Sequence, residues 1–211
     1  LLGFNLEDQT MAIQSLTVNV TGVASLLLNN PQTVDRFNPL TRAMARITDK
    51  KSRRTVDDYL EYMDIEMRAR LYYADDIGVF VPSTWVSSAV VSNSHSVAKI
   101  SKANARGAVF TTEKRIKLHY RGEEKVKHID DLIGDPDFRI KLTLRQTQGT
   151  GRVIKASPIF HDWSFTTVLE YDNKIIDPES MENIIQHASK YGGFGDFRPT
   201  FGRASAEVTH G

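Results

Sequence analysis

Stretches in which apolar and polar residues strictly alternate are interleaved along this chain with two capped helical repeats, and that order confines it to a mixed α+β architecture. From Ala12 to Val20, Leu16, Val18 and Val20 fall on one face and Ser15, Thr17 and Asn19 on the other, the period of a half-buried strand. Thr21 and Gly22 end it, and Leu26-Leu27-Leu28-Asn29-Asn30-Pro31 reads as a buried anchor running into a turn. Alternation returns at 114–121, where Ile116, Leu118 and Tyr120 oppose Arg115, Lys117, His119 and Arg121. It returns again at 139–145, where Ile140, Leu142 and Leu144 oppose Arg139, Lys141, Thr143 and Arg145. Each of these two strands carries a basic face. After a turn rich in Gly, Thr and Gln at 146–152, Val153–Phe160 and Ser164–Tyr171 give two further strands, and Arg203–Thr209 gives the last.

The helices announce themselves by their caps. Thr55 with Asp58 three residues on has the form of a capping box, and Val56, Leu60, Met63, Met67 and Leu71 follow at helical spacing. This predicts a helix over 55–71 whose methionine-bearing stripe is core. Asp177-Pro178-Glu179 supplies a cap, a first-position proline and a first-turn acid. Met181, Ile184, Ile185 and Ala188 then face inward along a helix over 178–190 that stops before Gly192-Gly193. A short strand over 77–82 and a serine-interrupted helix carrying Trp85, Val86, Ala89, Val90 and Val97 lie between. In order, strand 12–20, helix 55–71, strands 139–171, helix 178–190 and strand 203–209 make β-α-β-β-α-β. The expectation is one domain over 1–211: a ferredoxin-like, RRM-like split β-α-β core with an antiparallel sheet, and residues 72–138 inserted as a subdomain. Such a core leaves one sheet face free for single-stranded nucleic acid.

With no cysteine, the chain has no disulfide, thiolate metal site or cysteine nucleophile, and a reducing compartment is its natural setting. Leu1-Leu2-Gly3-Phe4 has neither a basic start nor a long apolar run, so no signal peptide and no membrane span are expected. Six histidines fall at no metal-ligand spacing, and no serine sits in a nucleophile elbow, so neither catalysis nor a metal or other cofactor is expected. For a metal-independent ribonuclease, His161 and His119 are the foremost candidate participants among the histidines.

The charge total says little, since 27 basic against 26 acidic residues leave +1, but the distribution is uneven. Arg42, Arg46, Lys50, Lys51, Arg53 and Arg54 crowd a short stretch before the capped helix, where backbone N–H groups and the helix dipole also favour an anion. Cations this dense repel one another unless something neutralises them, and phosphate binding is the reading favoured over a solvated face or pairing with the acids of the following helix. The segment Tyr191-Gly192-Gly193-Phe194-Gly195-Asp196-Phe197-Arg198-Pro199-Thr200-Phe201-Gly202-Arg203 is the second candidate. Its glycines permit close backbone approach, Phe194 and Phe197, with Trp163, could stack on bases, and Arg198 and Arg203 could reach phosphate. An aromatic-pinned turn into the last strand is the alternative. The segment lacks the lysine and hydroxyl residue of a nucleotide P-loop.

The run Gly22 to Pro31, then Asn38-Pro39-Leu40, Lys50-Lys51-Ser52-Arg53-Arg54-Thr55 and Gly193 to Arg203, resembles end to end a family of uncharacterised phage and prophage proteins. Where that family has Met-His before the asparagine, this chain has Leu28-Asn29, so a histidine there is not needed for chemistry. More distantly, a glycine-rich loop before the last strand of such a core is similar to the repeat-associated mysterious protein superfamily, which includes backbone subunits of CRISPR effector complexes. The resemblance implies a phage protein in the bacterial cytoplasm that coats single-stranded DNA or RNA as a homo-oligomer or filament. Arg115, Lys117, Arg139 and Lys141 join the basic loops and the glycine segment as its candidate contacts. The rivals are an inhibitor that docks on a host complex and a ribonuclease of the same superfamily.

Overall fold

A computed structural model describes residues 13–145 and 152–210. The expectations for Leu1–Phe4, for Ala12 and for turn residues 146–151 lie outside the described residues. The chain runs through β1 (Ile13–Gly22), β2 (Leu26–Leu27), α1 (Pro39–Thr48), α2 (Val56–Arg70), β3 (Tyr73–Ala74), β4 (Gly78–Pro82), α3 (Thr84–Ala98), α4 (Lys102–Ala108) and β5 (Val109–Thr111). It continues through β6 (Arg115–Lys117), α5 (Ile129–Gly134), β7 (Arg139–Arg145), β8 (Arg152–Phe160), β9 (Ser164–Asp172), α6 (Pro178–His187) and β10 (Ala204–His210). The fold is mixed α+β with antiparallel sheets.

The largest sheet has the order β10-β1-β9-β5. Its central register sets Val18 opposite Val208 on one side and Thr167 on the other. Alternation therefore turns Leu16, Val18 and Val20 inward together with Phe165, Leu169 and Tyr171, all fully buried. They share one apolar core with Val86 and Val90 of α3 and Met181, Ile184 and Ile185 of α6, two helices that pack on each other. A second sheet, β2-β8-β7, carries α2, and the strands of a third, β3-β4-β6, fall between β2 and β7 in the chain.

Membership of the main sheet differs from the sequence expectation. Helix 55–71 and strand 139–145 form as expected, but α2 packs on β8, and among the described residues β7 pairs only with β8. Two elements from 72–138 sit at the main sheet instead: β5 pairs with β9, and α3 lies against α6. The serines of α3 do not prevent this. Ser94 is buried, yet its hydroxyl lies 3.1 Å from the carbonyls of both Val91 and Ile100, so its one proton has an acceptor in the interior.

The stripe of α2 is only half core. Met67 and the following Leu71 are buried, but Val56 is 74% and Leu60 48% exposed.

The two motifs at 22–31 and 193–203 dock on each other. Gly202 N–H donates to the Ser25 carbonyl at 2.8 Å, Asp196 N–H to that of Leu27 at 2.9 Å, and Val23 and Ala24 both donate to Arg203. Trp163 fills the space beside Gly22 and donates its indole N–H to the Ala24 carbonyl at 2.8 Å. The close approach those glycines allow is thus made by the protein's own backbone. Phe194 is buried against Trp163 and Phe165, with ring centroids 6.3 and 5.5 Å away, so the expectation that Phe194 and Trp163 stack on bases is corrected: both are core. Among the described residues, no helix is long and apolar enough to cross a membrane.

Candidate nucleic-acid interface

The basic segment is built as a helical hairpin. Asn38 caps α1 by accepting the Leu40 N–H at 2.9 Å, with Pro39 at the first helical position, and Asp49 closes it. Arg42, Arg46, Lys51 and Arg53 project into solvent around the connection to α2. The Thr55 capping box forms as its spacing demands: Asp58 N–H donates to the Thr55 hydroxyl at 3.2 Å, and the Asp58 carboxylate accepts the Thr55 N–H at 2.9 Å. Lys50 closes onto the same carboxylate as an ion pair and, among the described residues, is the one cation of this cluster neutralised by an acid.

That contact has a pH signature. The hydrogen bond from Lys50, followed by that from the Thr55 backbone, holds the Asp58 carboxyl below its ordinary value. A depressed folded-state pKa contributes stability that is present above the unfolded value of about 4 and is lost as pH falls through the folded value. Urea unfolding of wild type and Asp58→Asn across pH 2–7 should therefore show a gap in midpoint that is full near neutrality and closes in acid.

Facing α2 across a cleft of about 470 Å³ is the β7–β8 hairpin. Ile47, Thr48, Arg54, Asp58, Tyr59, Tyr62 and Met63 form one wall, and Lys141, Arg152, Val153, Ile154 and Lys155 the other. Arg54 is steadied by donating to the Thr48 carbonyl at 3.3 Å. Lys155 is committed to Glu66 at 3.2 Å, and Asp58 to Lys50. Among the described residues, no carboxylate lies within ion-pair distance of Arg54, Lys141 or Arg152. Three cations without acids, two tyrosines and an exposed isoleucine thus share one concavity. Such a set can hold phosphates and a ring face together.

The other candidates are not gathered there. Arg115 makes a two-pronged pair with Asp76 at 3.0 and 2.8 Å and lies over the Phe80 ring, while Lys117 pairs with Glu123 at 2.9 Å. Arg139, expected on an exposed basic face, is largely buried: it pairs with Asp64 and donates to the Ile133 carbonyl at 2.7 Å. These internal partners already neutralise cations that sequence alone leaves unpaired. At the docked motifs, Arg198 reaches the Gly193 carbonyl at 3.5 Å, Phe197 is partly exposed, and Arg203 is exposed while its carbonyl holds Val23 and Ala24.

The outward face of the main sheet is a second correction. It carries Thr17, Asn19, Thr166, Val168, Ser205 and Thr209, with Glu170 and Glu207, and no lysine or arginine among the described residues. A polyanion gains nothing there, which leaves the cleft as the candidate interface. His119 is paired with Glu123 at 3.0 Å and exposed, His161 is bonded to the Ser25 hydroxyl at 2.8 Å, and among the described residues no group of histidines and acids could hold a metal.

Tyr59, Tyr62, Arg152, Ile154 and Lys155 escaped sequence reading. The tyrosines lie one turn apart beside the apolar stripe of α2, and Arg152 falls at the end of a segment read as turn; their joint signal is an aromatic pair following a basic run. Comparison with protein-family models and with curated proteins finds no match for this chain.

Proposed function

We propose that this is a phage-encoded, non-catalytic protein that binds single-stranded DNA or RNA in the bacterial cytoplasm, on a ferredoxin-like core. The strand order β10-β1-β9-β5 with α3 and α6 on one face supports that core, its six pieces being β1, α3, β5, β9, α6 and β10. The docking of Gly22–Pro31 on Gly193–Arg203 gives the two motifs of the phage resemblance a common structural reason. Assembly into an oligomer along the strand rests on that resemblance alone.

The observation that carries binding is the cleft in which Arg54, Lys141 and Arg152 meet Tyr59 and Tyr62, with no carboxylate among the described residues in an ion pair with any of the three cations. Long-range attraction comes from these cations and from the exposed Arg42, Arg46, Lys51 and Arg53 on the same hairpin, and each phosphate engaged releases counterions. The test is fluorescence anisotropy of labelled single-stranded DNA and RNA oligonucleotides over a salt series, with an Arg54→Ala, Lys141→Ala, Arg152→Ala triple variant. Three lost phosphate contacts should reduce the slope of log affinity against log salt by about two. If neither oligonucleotide binds wild type at low salt, the reading fails and capture of a host protein becomes the relevant assay.

A further inference from the structure

Resting on that reading, we propose that the cleft is a base pocket: it takes one unpaired nucleobase out of the strand, with the flanking phosphates on Arg54, Lys141 and Arg152. A track for phosphate alone needs only cations. This cleft also leaves a tyrosine and an isoleucine more than half exposed on opposite walls, Tyr59 at 58% and Ile154 at 62%. Tyr62, three residues from Tyr59 and on the same side of α2, widens the aromatic wall, and Val153 and Met63 extend the apolar lining.

The ligand that complements this surface has a flat apolar face and an anionic edge. An unpaired base joined to phosphate has both, whereas a duplex hides its base faces in the stack and offers only edges in its grooves. The cleft volume of about 470 Å³ lies within the ~300–1,000 Å³ typical of small-ligand sites, enough for a base with part of its sugar. Asp58 does not repel the phosphates strongly, because Lys50 and the Thr55 N–H already engage its carboxylate. Every base has a ring face, so stacking here is tolerant of sequence.

Binding of a base-bearing single strand is compared with an abasic strand of equal length and charge, with the duplex, and with a nucleoside monophosphate as competitor. The proteins are wild type, Tyr59→Ala and Ile154→Ala; both positions are exposed, and unchanged melting midpoints verify the fold. Wild type should prefer the base-bearing strand over the abasic one by roughly tenfold to a hundredfold. Tyr59→Ala should remove most of that preference by weakening only the base-bearing strand, with the salt slope unchanged. Equal binding of the two strands by wild type overturns the pocket while leaving strand binding intact, and tighter binding of duplex than of single strand overturns it as well. A monophosphate that outcompetes the strand assigns the cleft to free nucleotides and overturns the proposal. Absence of binding to any strand at low salt instead removes the reading on which it rests.

Discussion

Gly202→Ala is expected to lower stability by about 3 kcal/mol or more, shifting the calorimetric melting midpoint down by roughly 6–12 °C. Two effects add. Gly202 has φ +73°, a left-handed conformation that a side chain strains, and a Cβ there would lie 1.8 Å from the Phe194 carbonyl oxygen. The neighbour that must move is backbone, and it is tied. Phe194 N–H donates to Gly202 at 2.8 Å while Gly202 donates to Ser25 at 2.8 Å, so displacing either strains the docking of 193–203 on 22–31. Gly107→Ala is the control. It is an exposed helical glycine with nothing within 4 Å of a Cβ, and alanine there should raise stability by about 0.5 kcal/mol through helix propensity. A loss at Gly202 no larger than the change at Gly107 would show that the docked loop yields easily and does not hold the core together.

The same loop shows where sequence reading stops. Its glycines are visible as unusual, but whether they admit a ligand or the protein's own backbone depends on what lies opposite. That is Ser25 and Leu27, more than 160 positions away in sequence. Local signals did transmit. The Thr55 capping box, the Asp177 cap and the alternation of β1, β7, β9 and β10 each specify their element, because cap and period are fixed by neighbours in the chain. Pairing is not so fixed. β5 is three residues long and has no alternation to read, yet it occupies an edge of the main sheet, whereas the longer β7, expected among the core strands, lies in a different sheet. At the site, Arg54 and Lys141 were legible as charges, and only the fold brings them to one cleft. Arg115, Lys117 and Arg139 were equally legible and are neutralised by Asp76, Glu123 and Asp64. Charge density along a sequence identifies cations; their acids come from elsewhere in the chain.

Glu66→Gln should destabilise the protein and yet strengthen polyanion binding. Glu66 is 3% exposed, accepts the Ala156 N–H at 2.8 Å, and faces Lys155 at 3.2 Å and Arg70 at 3.5 Å. It is the polar tie between α2 and β8, the elements that form the two walls of the cleft. Glutamine keeps an acceptor for Ala156 but removes the charge, leaving two cations close together; breaking a buried pair in this way costs about 3 kcal/mol, the low end for such sites because Arg70 also lies 4.0 Å from Asp196. Lys155, one-third exposed, is then released to the cleft as a further free cation. The salt slope for a single strand should steepen by about 0.7, and affinity at low salt should rise, while the urea midpoint falls. Opposite signs in the two measurements separate this mechanism from partial unfolding, which would lower both. They also identify why an acid is buried there: Glu66 stabilises the junction of α2 and β8 by withholding from the cleft a cation that binding could use.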